Sequence, residues 1–269
     1  MIIDFHTHIF PDKIANATIE ALSKSASIMP HSNGAFDGLM SQMVESGIDI
    51  SVNLPVLTKP TQFDSIVRFG SEINQKTDTP ARIISFAGMH PDIEDYEEKL
   101  ELVKKMGFLG IKLHPDYQGV FFDDERYINI LKCAKRLDLI TVTHAGFDGA
   151  YVGKEIRCTP VRALRVLDAL GGYDKLVLAH MGANELFCDV YSNLAGENVY
   201  LDTSYVLSSI GQKMFENILA KHTEDKILFA TDSPWQHQKE QVEIIKSFNL
   251  GKEAENKILC ENARKLLKL

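Results

Sequence analysis

Short runs of β-branched and other apolar residues recur along the chain and alternate with longer amphipathic stretches. The runs that predict strands are residues 2–6, 48–54, 82–88, 108–113, 139–144, 175–180, 199–203 and 227–232. Apolar residues at three- and four-residue spacing predict helices over 94–106, 124–137, 160–170, 208–221, 238–248 and 253–269. Strands that alternate with helices pair in parallel through right-handed crossovers.

Eight strand–helix units in 269 residues predict a (β/α)8 TIM barrel that fills residues 1–269 as a single domain. A doubly wound open sheet is the competing arrangement, but it normally carries a glycine-rich phosphate turn after its first strand. Here that position holds His6-Thr7-His8-Ile9-Phe10-Pro11. We expect more than one helix between Phe10 and Asn53, and an extended loop over the barrel mouth at residues 145–159.

The composition narrows the range of partners. A net charge of −8 and a pI near 5.6 argue against nucleic acid bound through a broad basic face, which needs clustered Lys and Arg. No apolar run has the length of a membrane span, and no secretory leader is recognised. Four scattered cysteines without a CxxC pair are typical of reduced thiols. We therefore expect a cytoplasmic protein that acts on a small molecule, without nucleic-acid or membrane partners; a homo-oligomer is compatible with the sequence.

Histidines cluster at the carboxyl ends of the predicted strands. Six of the nine lie there, and Asp232 ends the eighth strand in the same way; the six are His6, His8, His90, His114, His144 and His180. The active site of a (β/α)8 barrel is built at that face. The set therefore predicts a site, although His90 alone is equally well explained as a hydrogen-bonded loop residue.

His6 and His8 are two residues apart on the first strand, so both side chains should point into the barrel. Two imidazoles at that spacing can bind one metal ion, and a further His and a carboxylate would complete a zinc-type site with one open position. His144 and Asp232 are the best candidates for those two ligands. Mn, Fe or Co would suit the same ligands.

Four further residues are candidates for contacts with substrate: Lys112, His114, Arg157 and Trp235. Lys112 and His114 should share the inward side of strand four. Three interpretations of Lys112 compete, namely a carbamylated bridge between two metals, a cation for a substrate carboxylate, and a solvated rim residue. Arg157 could hold a carboxylate bidentately or be a solvated loop charge. Trp235 is either a wall of the pocket or a packing residue.

The ordered motifs resemble the amidohydrolase superfamily, and within it the amidohydrolase-2 branch that includes aminocarboxymuconate-semialdehyde decarboxylase. The resemblance spans nearly the whole chain and rests on Asp4-Phe5-His6-Thr7-His8, Gly107-Phe108-Leu109-Gly110-Ile111-Lys112-Leu113-His114-Pro115, Thr143-His144-Ala145-Gly146, Leu178-Ala179-His180-Met181-Gly182 and Ala230-Thr231-Asp232-Ser233-Pro234-Trp235. It implies that His6, His8, His144 and Asp232 are metal ligands. It also implies that His180 polarises the substrate or shuttles a proton, and that one metal ion is the usual state. On that ground we favour Lys112 as a cation for a substrate carboxylate.

These observations predict a hydrolase that uses a metal-activated water on an amide, ester or lactone of a small carboxylated molecule, with Asp232 as the base and one zinc ion per chain. A non-oxidative decarboxylase with the same metal site is the main alternative. A TatD-like deoxyribonuclease is more distant, because such enzymes carry a metal-bridging Glu where this chain has Lys112. Phosphatases of the polymerase and histidinol type usually end with Asp-x-His rather than Asp232-Ser233-Pro234. The intact set of candidate ligands argues against a non-catalytic barrel.

Overall fold

A computed structural model describes all residues from 1 to 269. Its nine short strands, all parallel to their neighbours, are β1 (Ile3–Thr7), β2 (Ile50–Asn53), β3 (Arg82–Ser85), β4 (Ala87–Gly88), β5 (Gly110–Leu113), β6 (Ile140–Thr143), β7 (Leu176–Leu178), β8 (Tyr200–Asp202) and β9 (Ile227–Leu228). One sheet has the order β1-β2-β3, and the other runs from β4 to β9 in chain order.

The two sheets are joined at both ends. Only Phe86 separates β3 from β4, so these two strands are halves of the strand predicted over 82–88. At the other edge, the amide of Phe5 donates to the carbonyl of Phe229 at 2.9 Å, and Thr7 forms a parallel bridge with Ser233. Eight strand positions therefore follow in chain order and the first meets the last, which confirms the predicted (β/α)8 fold class.

Helices follow the strands as the apolar periodicity predicts. They are α1 (Asp12–Ala26), α2 (Phe36–Ser46), α3 (Phe63–Asn74), α4 (Tyr96–Lys105), α5 (Pro115–Gln118), α6 (Glu125–Arg136), α7 (Pro160–Leu170), α8 (Phe187–Asp189), α9 (Gln212–His222), α10 (Gln238–Ser247), α11 (Lys252–Asn256) and α12 (Asn262–Leu267). None of them combines the length and apolar character that a bilayer crossing demands.

Two helix predictions need correction. The helix predicted over 208–221 begins only at Gln212, because Gly211 has a φ of 71°, outside the helical region. The closing helix predicted over 253–269 is interrupted by a π-helical turn, Lys257–Glu261, between α11 and α12. Loop 145–159 contains only a short 3-10 turn, Gly149–Tyr151, as the predicted extended loop requires.

The strands separate two apolar layers. One cluster fills the barrel and continues onto α12; its strand members are Ile3, Phe5, Ile50, Val52, Ile84, Ile140, Val142, Val177, Tyr200 and Leu228. A larger cluster, which includes Ile111 and Leu113, lies between the sheet and the helices. Each fully buried aliphatic or aromatic side chain contributes roughly 1.5–3 kcal/mol relative to exposure. Residues that alternate with the outer layer therefore point inward, and the last of them on each strand reach the carboxyl face.

Strand β1 departs from simple alternation. Ile3 and Phe5 belong to the inner cluster, while Asp4 accepts hydrogen bonds from Thr231 and Gln238. Strict alternation from Phe5 would turn His6 away from the barrel. The pairing register with β2 shifts between Asp4 and Thr7, and such an irregularity re-aims a side chain. This shift brings the His6 side chain to the inner side of the barrel.

Gln118, at the end of α5, forms hydrogen bonds to three loops at the carboxyl face of the barrel. Its amide nitrogen donates to the carbonyls of Leu57, at 2.9 Å, and Met89, at 2.6 Å. Its amide oxygen accepts from the backbone of His114, at 3.1 Å, and from the Tyr127 hydroxyl. One buried side chain thus satisfies groups from the loops after β2, β4 and β5, and fixes where His114 begins its turn.

We expect Gln118→Leu to lower the free energy of unfolding by about 2–4 kcal/mol, because it leaves several buried polar groups without partners. Chemical denaturation measures the change. Gln75→Leu, at an exposed helix end, is the matched control and should change stability by less than about 0.5 kcal/mol. Equal effects of the two substitutions would contradict this assignment.

Candidate metal centre

His6 and His8 are held by partners that fix which ring nitrogen carries the proton. The Nδ1 of His6 lies 2.9 Å from a carboxylate oxygen of Asp202, and the Nδ1 of His8 lies 2.8 Å from the carbonyl of Leu54. Both partners only accept, so each Nδ1 carries the proton. In the neutral rings the two Nε2 atoms then carry lone pairs, and they face each other at 3.2 Å.

Asp232 supplies a third acceptor at the same point. Its Oδ1 lies 3.1 Å from the Nε2 of His8 and 3.5 Å from the Nε2 of His6. The amide of Asp232 donates to the His6 carbonyl at 2.8 Å, which ties the two strand ends together. Asp232 also has a φ of 67°, a left-handed conformation that a non-glycine residue adopts at a cost in free energy. The strained backbone aims this carboxylate at the imidazole pair.

The charges of this triad of His6, His8 and Asp232 match the needs of a divalent ion. Burial, followed by the Lys112 ammonium, holds the pKa of His6 well below its usual range, so its ring is neutral. Burial raises the pKa of Asp232, but its contacts with the His8 and His6 imidazoles outweigh burial, and the net pKa is lowered. Two imidazoles and one carboxylate are a ligand set that Zn, Mn, Fe and Co accept. The residues present therefore fit a metal ion.

Lys112 lies beside the triad and not at the rim. The side chain is only 1% exposed, and its Nζ is 3.0 Å from the Nε2 of His6. Burial lowers the pKa of Lys112 to about 8, although the charges of Asp202 and Asp232 oppose the shift. The interpretation as a solvated residue is therefore wrong. The other two, a cation for substrate and a carbamylated bridge, both place Lys112 where the structure has it.

His144 and His180 form a second pair of imidazoles. The Nδ1 of His180 faces the Ser204 carbonyl at 3.0 Å and so carries a proton, while its Nε2 is 2.9 Å from the Nδ1 of His144. The Nε2 of His144 is buried without a hydrogen-bond partner, 3.8 Å from an equally unpartnered oxygen of Asp116. A proton on the Asp116 carboxyl would give the Nε2 of His144 a donor. Alternatively, a cation between the His144 and His180 rings would leave the His144 proton on Nε2, facing Asp116.

The predicted ligand His144 therefore places neither ring nitrogen in the group formed by His6, His8 and Asp232. Its ring instead stacks on His114, with centroids 4.3 Å apart, and one of its nitrogens lies near a ring nitrogen of His114 and a carboxylate oxygen of Asp148. This second group is less suited to a metal, because the Nδ1 of His114 accepts from the backbone of Tyr117. The Nε2 of His114 then carries the proton and points toward Asp148, at 3.5 Å.

The site opens into a cavity of about 520 Å³. Its lining includes His6, His8, Lys112, His114, His144, His180, Asp232 and Trp235. Arg157 is not part of the lining; it contacts Asp116 at 3.5 Å and reaches the site only through that carboxylate. His90 is also outside, where its Nδ1 accepts from the backbone of Asp92, so it is a hydrogen-bonded loop residue.

The residues that orient the histidines are not among those predicted from the sequence. Asp202 contacts His6 and also accepts from the backbone of His180 at 3.0 Å and from the Ser204 hydroxyl. Since Tyr200 belongs to the inner cluster, alternation along β8 places Asp202 inward at a strand end, and that signal was present in the sequence. Asp116 lies in α5, where no periodicity marks its orientation. Burial, followed by the charge of Asp148, raises the pKa of Asp116 to about 6.

The fold and this strand-end cluster define a (β/α)8 barrel with a candidate metal centre. A family model described as Amidohydrolase matches residues 3–269. The chain therefore belongs to the amidohydrolase family, in the amidohydrolase-2 branch, as the motif resemblance predicted. No curated protein sequence matches the chain significantly.

Solved structures share the fold at low sequence identity. A 5-carboxyvanillate decarboxylase from Sphingomonas paucimobilis has a TM-score of 0.71 and 15% identity, over 100% of this chain and 99% of the other. A dihydroxybenzoic acid decarboxylase from Polaromonas, with bound manganese and 2-nitroresorcinol, has 0.70 and 19%, over 100% and 97%. A putative 2-pyrone-4,6-dicarboxylic acid hydrolase from Pseudomonas putida has 0.67 and 15%, over 99% and 97%.

Because Asp202 fixes the ring of His6, we expect Asp202→Asn to weaken divalent-ion binding about 10- to 100-fold. Competition titration with a chelating indicator measures the affinity, and denaturation confirms that the variant is folded. Asp189→Asn, at an exposed position, is the control and should bind like the original chain. Unchanged affinity in a folded Asp202→Asn variant would show that this carboxylate does not orient a ligand.

Proposed function

We propose that this protein is a metal-dependent hydrolase that cleaves an amide, ester or lactone bond in a small molecule. The observation that carries the proposal is the convergence of His6 Nε2, His8 Nε2 and Asp232 Oδ1 at the cavity, with both rings in the tautomer that metal binding needs. A divalent ion held there would supply a Lewis acid that polarises a substrate oxygen and makes water acidic at neutral pH.

The chain's own groups divide the remaining chemistry. Asp232, ionised by its surroundings, can orient a water molecule and accept its proton. His180 lies in the cavity lining with its Nδ1 proton held by Ser204, so its Nε2 is an acceptor. After Nε2 has taken up a proton, the ring can polarise a carbonyl or pass that proton to the leaving group. Lys112 places a cation beside the triad, where negative charge would develop on substrate or where a carboxylate next to the scissile bond would lie.

The other predicted residues have supporting roles in this proposal. His114 and Trp235 line the cavity and are available to contact substrate. Arg157 is a positioning residue that acts through Asp116, next to the unpartnered nitrogen of His144. His144 remains a proposed ligand through its Nδ1, which faces His180; a second ion between these rings would make Lys112 a bridge rather than a substrate contact.

Non-oxidative decarboxylation is the second candidate. The Sphingomonas and Polaromonas structures of the same fold are decarboxylases of aromatic acids. In this chain Lys112 lies beside the triad, where a substrate carboxylate would meet both a metal ion and an ammonium group. The two reactions share the ligand set, and their products separate them.

We expect the manganese- or zinc-loaded chain to hydrolyse members of a panel of small esters, lactones and amides, and chelation to abolish the activity. Asp232→Asn should lower kcat by about 100-fold or more, because it removes a ligand and the base. Asp225→Asn, an exposed carboxylate outside the cavity, should leave the rate unchanged.

The same assays include aromatic and unsaturated carboxylic acids with detection of carbon dioxide. Release of carbon dioxide without hydrolysis of any panel member would replace the hydrolase proposal by the decarboxylase. Neither reaction in a chain loaded with metal would contradict both.

Lys112→Met should lower kcat/KM about 10²–10³-fold while the metal content stays the same, because a cation near the developing charge is lost. Elemental analysis and steady-state kinetics on one sample measure both quantities. Lys132→Met, on the exposed side of α6, is the control. Loss of one metal equivalent in Lys112→Met would contradict the role in substrate binding and support the carbamylated bridge.

A further inference from the structure

One face of helix α1 forms a wall of the cavity. Ile14, Thr18, Leu22 and Ala26 line it, and their four-residue spacing places them on one side of the helix. The charged residues of α1 are all outside the lining: Asp12, Lys13, Glu20 and Lys24. The face of α1 that lines the cavity is therefore uncharged, and the charged residues lie on its other faces.

Helix α3 and the residues before it form a second wall of the same cavity. Gln62, Ser65, Ile66 and Phe69 line it at the spacing of one helix face. The charged residues of α3 again lie outside the lining: Asp64, Arg68 and Glu72. The α1–α3 chamber, defined by these eight lining residues, contains polar but no ionisable side chains.

Charge in the rest of the cavity lies at the strand ends and in the loops that follow them, and it is mostly negative. Lys112 is the only Lys or Arg in the lining, and it is 3.0 Å from His6. The carboxylates in the lining are Asp148, Glu185 and Asp232. An anionic group in the α1–α3 chamber would lose hydration without meeting a cation, which is costly.

We propose that the α1–α3 chamber binds the uncharged, apolar part of the substrate, an alkyl chain or an aromatic ring attached to the reacting ester, lactone or amide. The identity of the reacting bond rests on the proposed function, whereas the character of the distal group rests on the two helix stripes. A substrate carboxylate is accommodated only next to Lys112. Molecules with a second carboxylate at their distal end are excluded.

The chamber has a built-in reporter that needs no catalysis. Trp235 is the only tryptophan of the chain and lines the same cavity. Its fluorescence follows occupancy in both the metal-free and the manganese-loaded full chain. The probes are hexanoate, octanoate and octanedioate, which share a carboxylate for Lys112 and separate chain length from distal charge.

We expect octanoate to bind about 10-fold or more tightly than hexanoate, because each buried methylene contributes about fourfold in affinity. We expect octanedioate to bind at least about 10-fold more weakly than octanoate, since its second carboxylate has no partner in the chamber. Equal affinities of the three probes, tighter binding of octanedioate, or no saturable signal with octanoate would overturn the inference.

A charge-reversing pair of variants tests the location. Ile66→Lys, in the α3 wall, should reverse the preference, so that octanedioate binds more tightly than octanoate. Val161→Lys makes the same change at an exposed position of α7 outside the cavity and should keep the original preference. Unaltered preference in a folded Ile66→Lys variant would also overturn the inference.

The outcome is separable from that of the proposed function. If the probes show the expected order but the metal-loaded chain hydrolyses nothing, the chamber stands and the hydrolase proposal fails. If hydrolysis is found but distal carboxylates are tolerated, the hydrolase stands and the chamber assignment fails.

Discussion

Three electron-pair donors meet at one point inside this barrel, and their mutual repulsion is the constraint on which the site depends. His6 Nε2, His8 Nε2 and Asp232 Oδ1 lie 3.1–3.5 Å from one another, and Asp202 and the Leu54 carbonyl prevent either neutral ring from presenting a proton to that point. Such an arrangement is stable only with a cation at its centre or beside it. In the ion-free chain Lys112 supplies part of that charge.

The surrounding fold holds these donors in place. The register shift in β1 turns His6 inward above Phe5. A hydrogen bond from the Asp232 amide to the His6 carbonyl joins the ends of the first and last strands. Beneath the site, the apolar barrel interior leaves the donors no route to solvent on that side. The left-handed backbones of His180, with φ 60°, and Asp232 are strained conformations at the same face. Strain at these residues is consistent with selection for function over stability.

Sequence patterns located the fold and most of the site because both depend on local periodicity. Runs of β-branched residues gave the strands, and residues that end those runs, such as His144, His180 and Asp232, had to lie at one face. The route by which His6 reaches the interior could not be predicted, since it depends on a shift in pairing with β2. Asp202 was within reach of the alternation argument, whereas Asp116 and Arg157 lie in segments without periodicity. Their contact depends on how two loops pack against each other.

The central claim is that His6, His8 and Asp232 bind a divalent ion, and elemental analysis tests it most directly. The full chain, purified without chelator and reconstituted with manganese or zinc, is compared with the double variant His6→Ala/His8→Ala. We expect at least one equivalent of divalent metal per chain and the loss of one equivalent in the variant. A reconstituted chain without metal above background, or a variant that retains the full metal content, would contradict it.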